Sequence, residues 1–386
     1  MKTSPIFCTL LLALTASMLG ADPLPRKNEN ISLRNEVGMA IEKGLGWLQA
    51  HQNADGSWSN PEYPGLTALA VLAFHREPTG KYASGTKPEF LEKGYAFLRS
   101  NRKPDGGIYR QGLSNYNTSL ALTALLTSGT PSDEPMITAA REFIVAQQAS
   151  NMANPDLDGG IGYGPTGVSP KRAHPDLDNT LVSLEALRLY REARPNAEIP
   201  GARELNWKAA IQFVSRCQNL SETNPKGSSD PKERGGFIYY PGFSNADPTD
   251  LPADAKRPLR SYGTMSYAGL LSFIYAGLSK EDPRVVAAID WLKKNYTLEE
   301  NPGMGRAGVY YHYHLMAKAL ATAGMDKLAV NDGRNVDWPR ELGLKLMNLQ
   351  SNDGSWVNDT ARWMEKDPML VTSYCVMALE IIYRQL

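Results

Sequence analysis

Gln52-Asn53-Ala54-Asp55-Gly56-Ser57-Trp58 is the stretch that decides the fold, and it recurs near the other end of the chain as Gln350-Ser351-Asn352-Asp353-Gly354-Ser355-Trp356. Looser copies lie between them, at 105–109, 158–163 and 235–237. Glycine supplies the left-handed backbone that ends a helix, and the aromatic residue after it can pack back on the helix just finished. The recurrence therefore indicates an internal repeat.

An amphipathic helix is predicted before each turn, because an aromatic–aliphatic pair recurs near its end. The pairs are Trp47-Leu48, Phe97-Leu98, Phe143-Ile144, Phe213-Val214 and Trp291-Leu292, with Leu346-Met347 as a weaker copy. A glutamine follows several of them, as at Gln52 and Gln350. Its side chain can bond the backbone groups that a helix end leaves free.

A second, more apolar helix is predicted after each turn. The predicted segments are 65–74, 115–127, 175–190, 260–276, 308–323 and 367–383. A helix that is apolar nearly all round is buried, whereas an amphipathic helix faces water on one side. Six such pairs, with a period of roughly 50 residues, predict an all-α fold: an (α/α)6 barrel, or toroid, of six helix-pair repeats.

The ends and one insertion complete the domain organisation. Lys2, an apolar stretch over 5–19 and small residues after it predict a signal peptide over 1–21, and hence a secreted or periplasmic protein. The alternative is an N-terminal membrane anchor, although a spanning helix needs about 20 apolar residues. A linker over 22–35 then leads to the toroid domain at 36–386. Its long loop insertion at 221–258, rich in Pro, Asp, Ser and Gly, is predicted to be a rim or a lid.

The composition excludes some partners. The chain has 386 residues, of which 42% are hydrophobic, and its 41 basic side chains balance 41 acidic ones. A nucleic-acid-binding protein would need a basic face, so no nucleic-acid partner is expected. Cys217 and Cys375 remain in the mature chain, and two buried free thiols are favoured over a bridge.

The Gln-x-x-x-Gly-x-Trp turns resemble the repeat motif of squalene and oxidosqualene cyclases. The superfamily also includes the β subunits of protein prenyltransferases and exported relatives. The resemblance covers nearly the whole mature chain, about 36–386. It implies the toroid fold and a central cavity for an apolar, isoprenoid-like ligand.

The same resemblance points to a catalytic acid. Cyclases of the hopene type protonate their substrate from an Asp-x-Asp-Asp-Thr motif, and the matching segment here is Asp176-Leu177-Asp178-Asn179-Thr180. The resemblance makes Asp178 the candidate acid and Asp176 its helper, with Asn179 in place of an aspartate. Burial or a nearby negative charge can raise a carboxyl pKa for this purpose. The alternative is that both acids merely suit the first turn of a helix.

A metal site is not predicted. Tyr311-His312 resembles the Tyr-His helix of protein prenyltransferases, which hold zinc with an Asp, a Cys and a His. The Asp-x-Cys that should precede it is absent at 261–267. His312 and His314 diverge on a helix, where zinc pairs are spaced three or four residues apart. We therefore expect neither a bound metal nor a cofactor.

A tyrosine-rich mouth is predicted where the apolar helices begin. Aromatic faces stabilise cations, but they also stack on sugars and fill cores. Their mixture with polar side chains is typical of a ligand pocket. The candidate ligand-binding residues are Tyr116, Asn117, His174, Asn179, Tyr262, Tyr267, Tyr311, His312, Trp363, Asp367 and Tyr374.

Three functions stay open on the sequence alone. The first is an exported toroid, similar to terpene cyclases and prenyltransferases, that binds or transforms an isoprenoid-like ligand. The second is a carbohydrate-active or carbohydrate-binding α/α barrel, and the third is a non-catalytic interaction scaffold. A deep apolar lumen favours the first, an open groove with paired carboxylates the second, and a filled core the third.

Overall fold

The computed structural model describes residues 30–83, 86–165, 173–195, 201–252 and 254–386. This part of the chain is mainly helical, which confirms the predicted class, and one short antiparallel pair joins β1 (Leu328–Ala329) to β2 (Asn335–Val336). The predicted signal peptide at 1–21 lies outside the described residues. The first helix of the described residues begins at Ile31, five residues before the predicted start of the domain at 36.

Twelve α-helices follow one another in the described residues. In chain order they are α1 (Ile31–Ala50), α2 (Pro64–His75), α3 (Glu89–Ser100), α4 (Ser114–Leu125), α5 (Glu134–Ala146), α6 (Leu177–Ala193), α7 (Trp207–Arg216), α8 (Gly263–Tyr275), α9 (Pro283–Lys294), α10 (Val309–Thr322), α11 (Trp338–Leu349) and α12 (Pro368–Gln385). Short 3₁₀ turns occur at Pro131–Asp133, Pro155–Leu157 and Arg362–Met364. The even-numbered helices are the ones that the apolar segments predict.

The two sets of helices differ in burial. Every residue of α2 is buried, whereas α3 buries one stripe around Tyr95 and Leu98 and directs Glu89 outward. The even-numbered helices pack in succession, α2 on α4, then α6, α8, α10 and α12, and α12 packs back on α2. The odd-numbered helices lie against this set, as α3 does on α2, α5 on α4 and α1 on α12. The succession of contacts between the even-numbered helices therefore ends at the helix where it began, α2.

The glycines of the repeated turns are not helix caps, so that prediction is wrong. Helix α1 ends at Ala50, and Gly56 lies in a separate turn beyond it with a φ of 86°. A Cβ at Gly56 would lie 2.5 Å from the carbonyl oxygen of Lys93 in α3. Gly354, with a φ of 98°, approaches Lys43 of α1 in the same way, at 2.6 Å. Glycine is required because the turn packs against the backbone of an odd-numbered helix, α3 at Gly56 and α1 at Gly354.

The repeated glutamines connect the same elements. Gln52 Nε2 donates to the carbonyl oxygen of Gly56 at 2.9 Å and to that of Phe90, in α3, at 2.8 Å. Gln350 does the same with Gly354 and with Ala40 in α1. Each of these glutamines therefore ties its turn to the following odd-numbered helix, and Gln350 ties the last turn to α1.

The turn tryptophans pack back on the preceding helix, as predicted. The indole Nε1 of Trp58 donates to the carbonyl oxygen of Leu48 at 2.7 Å, and that of Trp356 donates to Leu346 at 2.8 Å. Both rings are fully buried. Their backbone N–H groups donate to threonine hydroxyls of the next even-numbered helix, Thr67 and Thr372. Each turn is thus held to both helices that it connects.

The 221–258 segment is partly core and partly surface. Phe237 is fully buried, and its N–H donates to the Ser266 hydroxyl of α8. Residues 254–257 lie mostly at the surface. Cys217 and Cys375 are buried and unbridged. Among the described residues, no helix is long and apolar enough to cross a membrane.

Candidate active site

A cavity of about 520 Å³ opens where the even-numbered helices begin. Each of them contributes side chains from its first turns, so all six starts lie at the same end. Seven of the residues predicted for the site line this cavity: Tyr116, Asn117, Asp178, Tyr262, Tyr311, Trp363 and Tyr374. Aromatic rings form much of the wall, which gives the cavity a face that is both apolar and electron-rich.

Asp178 reaches this cavity from the first turn of α6. Its Oδ1 accepts a hydrogen bond from the Tyr311 hydroxyl of α10 at 2.7 Å. Burial raises the pKa of Asp178 to about 6, although the bond from Tyr311 lowers it by favouring the charged form. A carboxyl with this pKa holds its proton in weakly acidic solution and can donate it into the cavity.

Asp176 lies behind the wall, as the N-cap of α6. Its Oδ1 accepts from the backbone N–H of Asn179 and its Oδ2 from the Asn179 side-chain amide, both at 2.8 Å. Burial and the neighbouring Asp178 carboxylate raise the pKa of Asp176 to about 8. Asp176 therefore has the structural role that acids at a helix start provide.

Asn179 and Thr180 are scaffold residues. Asn179 is fully buried and directs its amide at Asp176, so its predicted place among the ligand-binding residues is corrected. The Thr180 hydroxyl accepts the N–H of Ile161 at 3.0 Å and donates to the carbonyl oxygen of Asp176 at 2.7 Å. It thus occupies the place that Thr67 and Thr372 occupy in their repeats. In this motif only Asp178 lines the cavity.

Four more predicted site residues lie outside the cavity wall. His174 packs on Tyr240, with ring centroids 4.0 Å apart. Asp367 is the N-cap of α12, where its Oδ1 accepts the N–H of Met369. Tyr267 and His312 pack on each other in the core at 5.4 Å, and burial lowers the pKa of His312 to about 3. Adjacent helical residues point about 100° apart, so Tyr311 and His312 cannot both face the cavity.

Glu365 lines the cavity and was missed by the sequence analysis. Its side chain is buried, and burial raises its pKa to about 7. Its Oε1 accepts the backbone N–H of Tyr311 at 2.8 Å, and its Oε2 accepts from the Asn358 amide at 2.6 Å. The one signal in the sequence is indirect: Gly308, which precedes α10, has no side chain to cap that helix.

Other side chains of the wall come from the loops. Tyr163 follows a glycine turn, Tyr239 belongs to the 221–258 segment, and their hydroxyl oxygens lie 3.3 Å apart. Arg362 is the one cationic side chain among the described lining residues. Within the described residues, no three His, Cys, Asp or Glu side chains lie close enough together to hold a metal ion. The wall therefore combines two carboxyl groups, those of Asp178 and Glu365, with a single cation and aromatic faces.

No protein-family model matches the sequence, and no curated protein matches it. The structure is similar to that of the type II terpene cyclase MstE from Scytonema. A complex of an MstE variant with its product, merosterolic acid A, gives a TM-score of 0.51 at 14% identity, with 92% of this chain and 99% of that chain covered. A variant bound to its substrate, geranylgeranyl dihydroxybenzoate, and the apo enzyme give the same score and coverage at 13% identity. At this identity the similarity concerns the fold alone: the chain has a helical fold like that of type II terpene cyclases.

Proposed function

We propose that the chain is a terpene cyclase-like protein, with six helix pairs closed into an (α/α)6 toroid and a central cavity that binds and protonates an isoprenoid-like ligand. One observation carries this proposal. The residue at the middle position of the Asp-x-Asp-Asn-Thr motif, Asp178, is the one that lines an aromatic cavity, with Tyr311 bonded to it.

The proposed reaction is a proton-initiated cyclisation. The protonated Asp178 carboxyl gives its proton to one carbon of a terminal alkene, and the alkene π electrons form the new C–H bond. The cation left on the other carbon is attacked by the next double bond, which closes a ring. A proton lost from the final cation completes an isomerisation, and solvent reprotonates the Asp178 carboxylate. Tyr116, Tyr262 and Tyr374 offer π faces that stabilise such a cation.

The other two hypotheses fit the structure less well. A cavity of about 520 Å³ is within the range of ligand sites, so the interior is not the filled core expected of a scaffold. A glycosidase needs two available carboxyl groups. Glu365 is a second carboxyl in the wall, but Tyr311 and Asn358 already donate to its two oxygens.

Two measurements test the proposal. Lipid extraction of the purified protein, with mass spectrometry, should reveal a co-purified isoprenoid. Incubation with polyprenyl substrates of graded length should give cyclic isomers, and Asp178→Asn should abolish them. The matched control is Asp337→Asn, which changes the N-cap of α11, outside the cavity wall. Equal turnover by Asp178→Asn and the unaltered protein would remove Asp178 as the acid.

We also propose that the protein is exported. The support is the sequence pattern over 1–21, which lies outside the described residues. N-terminal sequencing of the protein recovered from its native host should find a chain that begins near Asp22. A full-length chain that begins at Met1 and stays in the cytoplasmic fraction would contradict export.

A further inference from the structure

Residues 358–365, here called the strap, reach the start of α10 from far along the chain. The strap closes on itself, because the N–H of Asn358 donates to the carbonyl oxygen of Glu365 at 2.9 Å. The Asn358 amide also donates to the carbonyl oxygen of Arg306 at 2.8 Å, just before α10. The strap is thereby tied to the segment that leads into this helix.

Helix α10 depends on the strap for its cap. The residue at its N-cap is Gly308, with a φ of 68° and no side chain that could accept a bond. The first N–H groups of a helix have no partner within it. Here Glu365 supplies the missing acceptor. Its carboxyl group accepts the N–H of Tyr311 at 2.8 Å, and the N–H groups of Val309 and Tyr310 also bond to it.

The backbone of the strap is strained next to the residue that caps α10. Trp363 and Met364 have φ values of 55° and 64°, in the left-handed region that side chains disfavour. Both are largely exposed, at 43% and 41%, so burial does not explain the strain. The next residue is Glu365, and the Trp363 ring packs so closely on Gly308 that a Cβ there would lie 2.7 Å from it. Strained backbone of this kind persists where the surrounding contacts hold it.

One residue joins the cap to the acid. Tyr311 gives its backbone N–H to Glu365 and its hydroxyl to Asp178, at 2.8 Å and 2.7 Å. We propose that Glu365 is a positioning residue, which holds the first turn of α10 so that the Tyr311 hydroxyl stays on the Asp178 carboxylate. This inference rests on the role of Asp178 proposed above and adds the residue that acts on it through Tyr311.

The test measures the titration of Asp178 itself, by NMR of protein labelled with ¹³C at the aspartate carboxyl, with Asp178→Asn to assign the signal. The midpoint of the unaltered protein is expected at about 6. Tyr311→Phe should raise it by roughly one unit, since a hydrogen bond that favours the charged form is lost. Glu365→Ala should also raise it, and should add nothing in the Tyr311→Phe background.

The sign of the shift separates positioning from charge. Removing a negative charge near Asp178 would lower the midpoint, whereas releasing Tyr311 raises it. The ionisable groups that face Asp178 from its own helix and the other elements are Asp176, Tyr116, Tyr239, Tyr262, Tyr311 and Tyr374. They are unchanged in the Glu365 variants, so the difference reports on the strap.

Two further variants keep the outcome decisive. Glu365→Asp keeps a carboxyl group but draws it back from α10, and it too should raise the midpoint. Glu233→Ala is the matched control, because Glu233 accepts the N–H of Ser261 at 2.6 Å just before α8. It should lower stability and leave the midpoint in place. An unchanged or lowered midpoint in both Glu365 variants, or the same rise without the Tyr311 hydroxyl, would overturn the inference. No substrate is needed, so the result is independent of whether an isoprenoid is turned over.

Discussion

The ion pair between Lys318 and Glu185 offers the sharpest test of how the helices are held together. Lys318 Nζ donates to both carboxylate oxygens of Glu185, at 2.9 and 2.8 Å, and each residue is only 7% exposed. Lys318→Met removes the cation and leaves a buried carboxylate. Breaking a buried pair in this way costs about 3–5 kcal/mol. Arg76 lies 3.9 Å from Glu185 and can compensate in part, so we expect about 3 kcal/mol.

The assay is thermal and urea unfolding followed by circular dichroism. A loss of about 3 kcal/mol corresponds to a fall in melting temperature of roughly 4 °C for a chain of this size. The double variant Lys318→Met/Glu185→Leu should regain most of the loss, because an apolar pair leaves no charge buried.

An exposed pair of the same geometry is the control. Lys345 Nζ donates to both carboxylate oxygens of Glu299 at 3.0 and 2.9 Å, but Glu299 is 81% exposed in its side chain. Lys345→Met should therefore cost less than about 1 kcal/mol. If Lys318→Met cost no more than Lys345→Met, or if the double variant were as unstable as the single one, burial would not be what makes the Lys318–Glu185 pair important.

Three further predictions concern the turns, the loop and the acid. Gly56→Val should destabilise the protein by more than Gly333→Val, because both have positive φ but only Gly56 has a neighbouring backbone within contact distance; equal losses in urea unfolding would show that the contact with α3 is unimportant. Limited trypsinolysis should cut first at the exposed 254–257 while the helical signal persists; first cleavage within a helix would contradict this. Cyclisation should become faster as the pH falls through about 6, since Asp178 donates a proton only in its neutral form, which prevails below its pKa; a rate that is flat across this range would exclude it as the limiting acid.

The helices could be predicted because the local spacing of apolar residues along the sequence indicates which helix faces are buried. The apolar segments match α2, α4, α6, α8, α10 and α12 closely. The glycine turns were recognised, but their partners were not, because Lys93 and Lys43 belong to other repeats. A local sequence pattern can predict that a residue adopts positive φ. It cannot predict that glycine is needed at that position because of a contact between elements far apart in the chain.

The site was harder to predict for a related reason. The phase of a helix decides whether Tyr311 or His312 faces the cavity, and that phase depends on packing against α8 and α12. The residues from Asp176 to Thr180 form one motif in the sequence but differ in role in the structure. Asp178 bonds to Tyr311 at the cavity, whereas the hydrogen bonds of Asp176 and Thr180 hold the backbone around it. Glu365 lies in a strap without helical periodicity, and its partner Tyr311 is 54 residues away.

Two side-chain links join α6 to α10. Neither helix packs on the other in the succession of neighbours, since α6 lies between α4 and α8, and α10 between α8 and α12. The Asp178–Tyr311 and Glu185–Lys318 bonds therefore cross the interior, and both join residues 133 positions apart. Within each helix the two linked positions are seven residues apart, which places them on one face with a rise of roughly 10 Å. In both links α6 supplies the carboxylate and α10 the long donor. The lower link, away from the helix starts, is buried and charged, whereas the upper link lies in the wall of the cavity. The same two helices are thus connected at two depths, by a hydrogen bond at the cavity and by an ion pair in the buried core.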